Sequence, residues 1–78
     1  MTIIEIRIRL KKGVADPEGK NVKKTLEALG FETEEVKTEK VYEIEMDGSE
    51  QEALVEGRLM CEKLLVNPVI HDYEITVR

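Results

Sequence analysis

The sequence predicts an α+β domain of element order β-α-β-β-α-β, and three observations carry that expectation. Strict alternation of apolar and charged residues opens and closes the chain; two segments of helical periodicity lie inside it; each helix has its own start and stop signals. At 78 residues the chain is a single domain, 1–78, because too little would remain to build a second core.

In "IIEIRIRL" the residues Ile4, Ile6, Ile8 and Leu10 share one side, while Glu5, Arg7 and Arg9 share the other. This is a half-buried strand. In "KKGVADPEG" that follows, Gly13 loosens the chain and Asp16-Pro17 reads as an N-cap with proline at the first helical position. The spacing predicts a helix from about Pro17 to Leu29, with Val22, Leu26 and Leu29 as its buried stripe and Gly30 in the left-handed C-terminal position. "FETEEVKTEKVYEIEMDG" is expected to hold two strands. Tyr42, Ile44 and Met46 alternate with Glu43 and Glu45 in the second, but "KTEK" carries no strong turn signal to mark where the first one ends.

"DGSEQE" supplies a turn and a capping box, Ser49 with Glu52 three residues on. The second helix is expected to reach about Val66, with Ala53, Leu54, Met60, Cys61, Leu64 and Leu65 at helical spacing and Gly57 marking close packing. Asn67-Pro68 then stops the helix and starts a strand, since proline disfavours helical conformation before it and cannot donate to an interior ladder. From Val69 the alternation returns. Tyr73, Ile75 and Val77 share one side with His71, and Asp72, Glu74 and Thr76 take the other. The order matches the ferredoxin-like split βαβ motif, a two-layer sandwich. Right-handed crossovers would give a four-stranded antiparallel sheet with strands one and three in the centre and two helices on one face.

A chain this short closes its folding balance narrowly and commonly needs a disulfide, a metal or oligomerisation. The lone Cys61 excludes an internal disulfide and suits a reducing cytoplasm; Cys61 and His71 alone cannot build a zinc site. A homo-oligomer, dimer or higher, is the expected supplement. Net charge is −5, with 17 acidic and 12 basic residues spread along the chain and only Phe31, Tyr42 and Tyr73 as aromatics, which argues against a nucleic-acid partner. Neither a signal peptide nor a membrane span is recognisable, so a soluble cytoplasmic protein without a membrane partner is expected.

No catalytic, cofactor-binding or metal-ligating set stands out. Cys61 lies on an apolar helix stripe, His71 has no local motif, and the alternating glutamates read as a solvated face. "KKGVADPEGK" opens a helix that could hold an anion, yet it lacks a Walker spacing and Asp16 and Glu18 put negative charge at the site. The domain is expected to act by binding.

Two stretches carry a family resemblance. "LKKGVADPEGKNV" resembles the segment joining the first strand and helix of the PurS family, the small subunit of phosphoribosylformylglycinamidine (FGAM) synthase, and "MCEKLLVNPVIHDYEI" resembles that family's helix end and last strand more closely. Ala15, Glu18, Glu39-Lys40 and His71 depart from the family's usual residues. The resemblance implies a non-catalytic subunit of a multi-subunit ligase that uses ATP, Mg and glutamine, bridging a glutaminase subunit and a synthetase subunit and aiding ammonia transfer between them. It implies no cofactor on this chain. Partner contacts are expected at Lys11, Gly13, Asp16, Asn67, Asp72 and Tyr73, each of which also has a structural reading as a cap, turn or ladder residue. The alternative from another class is an amino-acid-sensing regulatory domain of the same element order. An acylphosphatase-like enzyme ranks last, because the loop after the first strand has no arginine.

Overall fold

A computed structural model describes Met1–Arg78. Its elements are β1 (Thr2–Leu10), α1 (Pro17–Ala28), β2 (Glu39–Met46), α2 (Glu50–Met60) with a π-helical turn over Cys61–Leu65, and β3 (His71–Val77). The sheet has three antiparallel strands in the order β2-β1-β3.

Period-two alternation makes β1 the spine. Ile4 lies across from Ile44 and Val77, and Ile6 from Tyr42 and Ile75, so the inner face is apolar along successive rows. Ile4, Ile6 and Ile8 are buried, each contributing roughly 1.5–3 kcal/mol of transfer free energy. The cover is α2, started by Ser49, whose Oγ accepts from the Glu52 N–H at 3.2 Å, and turned inward at Ala53, Gly57 and Cys61. Gly57 allows that approach. A Cβ there would stand 2.9 Å from Ile4 Cδ1 and 3.4 Å from Ile75 Cδ1. On the outer face Arg7 and Arg9 lie between Glu39 and Glu74, and Arg78 lies between Glu5 and Glu43. These exposed pairs stabilise by at most about 1 kcal/mol each, and their main effect is to order the face.

The Asn67-Pro68 junction is held locally. The Asn67 N–H donates to His71 Nδ1 at 3.0 Å, Asn67 Oδ1 accepts from the Val69 N–H at 3.0 Å, and the Asn67 carbonyl accepts from the N–H groups of Ile70 and His71. The strand therefore starts at His71 rather than at Val69.

Four expectations are corrected. The sheet has three strands, so β1 alone is central and β2 is an edge. "FETEEVKT" forms no strand because its polar groups are engaged elsewhere: Lys23 Nζ donates to the Thr33 carbonyl, and the Thr38 N–H and hydroxyl donate to Asp16. With its return segment bound to it, α1 packs on neither the sheet nor α2, so only α2 covers the inner face. The supposed buried stripe of α1 is correspondingly open, with Val22 at 41% and Leu29 at 69% exposure. In the second helix, the π turn rotates Leu64 outward to 82% exposure, because the wider turn breaks the i, i+3 register that Cys61 sets. Tyr73, read as core, is 37% exposed and lies outside the buried cluster.

Gly57→Ala is expected to destabilise the fold by about 1–3 kcal/mol through overpacking against Ile4 and Ile75. Urea unfolding measures it, and an unchanged midpoint would show that α2 does not depend on this approach.

Candidate functional site

The six residues singled out in the sequence gather at one end of the sheet. β1 ends there and β3 begins there: Arg9 pairs with Asp72 and Ile8 with Tyr73, while the Lys11 N–H donates to the Ile70 carbonyl at 2.8 Å. Gly13, at φ +87°, follows in a turn closed by the Val14 N–H on the Lys11 carbonyl. The turn delivers the chain to Asp16.

Asp16 ties three segments together. Its Oδ1 accepts from the Gly19 N–H at 2.9 Å, capping α1, and its Oδ2 accepts from the Thr38 N–H at 2.8 Å and the Thr38 hydroxyl at 2.9 Å. The Gly19 bond first, then the two from Thr38, hold the carboxyl below its ordinary range. Gly19 is needed beside it. A Cβ at that position would come within 2.4 Å of the Val36 carbonyl oxygen.

Between this turn, α1 and the 34–39 segment lies an open cleft of about 830 Å³, lined by Lys11, Gly13 and Asp16 among others. Lys11, Lys12 and Lys20 border it without a carboxylate partner, whereas Arg9, Lys23 and Lys37 are each paired. Asn67, Asp72 and Tyr73 stand beyond the cleft, at the start of β3 and the turn before it. Asn67 is occupied by the helix-stop turn, so its role is structural first. Asp72 is exposed on the outer face, free to meet a partner.

Elsewhere, Cys61 is buried at the join of α2 and its π turn, where burial, with Glu62 beside it, pushes the thiol up and away from reactivity. A second depression, of about 400 Å³, lies between α2 and the β2 edge, lined by Ile44, Leu59, Met60, Leu64 and Leu65 with Glu56 and Lys63 at the rim. No motif in the sequence marks it. Its signal is a surplus: Leu54, Val55, Leu59, Met60, Leu64 and Leu65 are more apolar side chains than one face of a short helix can bury.

The fold and its surfaces define a small α+β domain whose polar cleft and apolar groove are both open to the outside. The family model for PurS, phosphoribosylformylglycinamidine (FGAM) synthase, matches residues 3–78. A relative from Methanocaldococcus jannaschii, FGAM synthase subunit PurS, is 51% identical over 72 residues, covering 90% of this chain and 87% of that one. The corresponding subunit of Archaeoglobus fulgidus is 49% identical over 78 residues, covering 97% and 98%. The crystal structure of the Methanocaldococcus jannaschii PurS superposes with a TM-score of 0.91 at 47% identity over 100% of this chain and 96% of that chain. The chain belongs to the PurS family of FGAM synthase subunits.

Two outcomes test the local geometry. Asp16→Asn is expected to speed amide exchange at Gly19 and Thr38 while leaving β1 amides protected; equal protection in both proteins would remove Asp16 as the tie. Because its folded pKa is depressed, the contribution of Asp16 is complete above its unfolded value of about 4 and is lost as pH falls through the lower folded value. Exchange at Thr38 should therefore accelerate, beyond its intrinsic pH dependence, only below about pH 4. His71→Gln is expected to keep the fold and the activity of the assembled enzyme, since a glutamine oxygen can accept from the Asn67 N–H in place of Nδ1. Loss of activity in a folded, assembled His71→Gln protein would assign His71 to a site.

Proposed function

We propose that this chain is a non-catalytic bridging subunit of FGAM synthase, joining a glutaminase subunit to a synthetase subunit and aiding the passage of ammonia between them. The observation that carries the reading is the family membership over residues 3–78, in a domain whose named contact residues converge on one end of the sheet. The chemistry belongs to the partners. ATP, Mg and glutamine are used by the assembled enzyme, and this chain offers surfaces to it: the lysine-bordered cleft on one side of the β1 end and Asp72 on the other. The relative from Methanocaldococcus jannaschii is one of the subunits of formylglycinamide ribonucleotide amidotransferase in the purine biosynthetic pathway, which supports the same setting here. The chain works as a homo-oligomer, a dimer or higher. Only eight of its 78 residues are buried, which is little core for a stable monomer.

The ferredoxin-like completion of the fold, with a fourth strand and a second covering helix, belongs to that oligomer rather than to the single chain. An amino-acid-sensing role has no observation in its favour, since the cleft beside Gly13 is bordered by unpaired lysines and has no enclosed apolar wall.

The test compares two assays of the reconstituted enzyme. Asp72→Ala and Lys11→Glu are expected to leave this chain folded, to lower glutamine-dependent synthesis several-fold, and to spare ammonia-dependent synthesis by the synthetase subunit. A wild-type chain that fails to co-purify with either partner, or whose omission leaves glutamine-dependent synthesis unchanged, would overturn the bridging role.

A further inference from the structure

The chain has a net charge of −5, yet half of its 12 basic residues line one cleft. Arg9, Lys11, Lys12, Lys20, Lys23 and Lys37 stand there against four of the 17 carboxylates, so the walls are positive on a molecule that is otherwise acidic. Part of that charge is cancelled locally. Arg9 meets Glu39 and Glu74, Lys23 meets Glu27, and Lys37 meets Glu35. Lys11, Lys12 and Lys20 have no carboxylate partner, and Glu34 is the one lining glutamate without a cation.

Asp16 and Glu18 put negative charge near this turn in the sequence, but neither obstructs an anion in the fold. Glu18 does not line the cleft, and both oxygens of Asp16 are engaged by the Gly19 N–H and by the N–H and hydroxyl of Thr38. The backbone adds donors beside the lysines. With Gly13 at φ +87° the turn closes through the Val14 N–H on the Lys11 carbonyl, and the N–H groups of Lys12, Gly13 and Ala15 have no acceptor in the chain. An ammonium group is a compact point charge suited to phosphate oxygens, and a concave surface of one sign raises the local concentration of the opposite ion.

We propose that this cleft binds an oligophosphate group, that of a nucleoside di- or triphosphate or of a free polyphosphate, on Lys11, Lys12 and Lys20. The inference goes beyond the bridging reading and does not rest on it. Size and charge both fit this class of ligand. The volume of about 830 Å³ lies within the range of small-molecule sites, roughly 300–1,000 Å³, and three unpaired ammonium groups suit several phosphate oxyanions better than a single carboxylate. An acidic stretch of a partner protein fits less well. The 34–39 wall would set Glu34, Glu35 and Glu39 along its path, and Leu10, Val14, Ala15 and Val36 are the only apolar lining for its side chains.

The experiment uses the full chain. Isothermal titration calorimetry compares sodium tripolyphosphate, ATP and adenosine at low ionic strength and again with added NaCl. Tripolyphosphate and ATP are expected to bind saturably and more weakly in salt, and adenosine not to bind. Lys12→Gln and Lys20→Gln, at exposed positions where far-UV circular dichroism should show an intact fold, are each expected to raise the dissociation constant for tripolyphosphate roughly 5-fold. Lys24→Gln removes the same charge from an exposed position of α1 outside the cleft and should leave it unchanged. In amide-resolved NMR, tripolyphosphate should move the signals of Lys12, Gly13 and Ala15 and leave those of α2 in place. Equal affinity for tripolyphosphate and ATP would identify the phosphate chain alone as the ligand, and tighter binding of ATP would identify the nucleotide; both outcomes support the site.

No saturable binding, equal weakening by Lys24→Gln, or signal changes confined to α2 would overturn the site. Adenosine binding as tightly as ATP would do the same. If Lys12→Gln and Lys20→Gln leave tripolyphosphate binding unchanged but abolish capture of the glutaminase or synthetase subunit, the cleft belongs to that partner and the inference fails. None of these failures touches the bridging reading, which stands or falls on co-purification and on glutamine-dependent synthesis.

Discussion

β1 is paired along both edges and covered on one face by one helix, and the fit of that helix to the strand is set at Gly57. There the backbone of α2 comes close enough to Ile4 and Ile75 that even a Cβ would force the isoleucine side chains to shift. Dispersion and burial at this contact act on the strand that orders everything else, because β2 and β3 touch each other only through β1. A small core results. Ile4, Ile6, Ile8, Ala53 and Cys61 are its buried apolar members, and the remaining inner-face residues are half-covered. The outer ion pairs add order to the sheet but little free energy, so they cannot replace the cover that is missing.

The second organising contact is a set of hydrogen bonds to one carboxylate. Asp16 satisfies the first turn of α1 and, with its other oxygen, two groups of Thr38, so a single carboxylate decides that α1 and its return segment travel together. Since Thr38 is followed at once by β2, the same carboxylate fixes where the return segment rejoins the sheet. The result is a division of labour within one short chain. Sheet and α2 form the buried core, while α1 with its return segment and the β1 end carry the cleft. The two clusters of named residues, Lys11, Gly13 and Asp16 on one side and Asn67, Asp72 and Tyr73 on the other, meet only through the antiparallel register of β1 with β3.

Local signals were legible in the sequence and relations between elements were not. Asp16-Pro17, Ser49, Gly30 and the two alternating strands at the ends all read correctly because a cap, a left-handed turn or a period of two is decided by residues within one turn of each other. Gly57 was legible for a related reason: a glycine inside a good helix-forming run has few explanations besides close approach. Periodicity marked Val22, Leu26 and Leu29 as an apolar face, and that was correct as chemistry. It could not say that the rest of the chain would leave the face open. "FETEEVKT" carries only a weak strand pattern, and its hydrogen bonds go to Asp16 and Lys23 instead. Leu64 was misplaced because a π turn changes the angular step, and nothing in "CEKLL" signals the change. The candidate contact residues came from the family motif, and only the structure revealed that they share one end of the molecule.

These features bear on why a subunit of an assembled enzyme should be so lightly built. When a domain buries little by itself, binding a partner adds to its stability by mass action, and its folded population rises with the concentration of whatever it assembles with. For a subunit of a larger complex that linkage is useful. In the single chain the apolar groove beside α2 and the apolar face of α1 are both open. A larger core would remove the dependence, and it would require filling the surfaces at Leu64, Leu29 and Phe31 with residues of the same chain. The sparse core and the exposed apolar faces are therefore one property: the apolar side chains that a self-sufficient domain would turn inward are, in this chain, placed where another molecule can reach them.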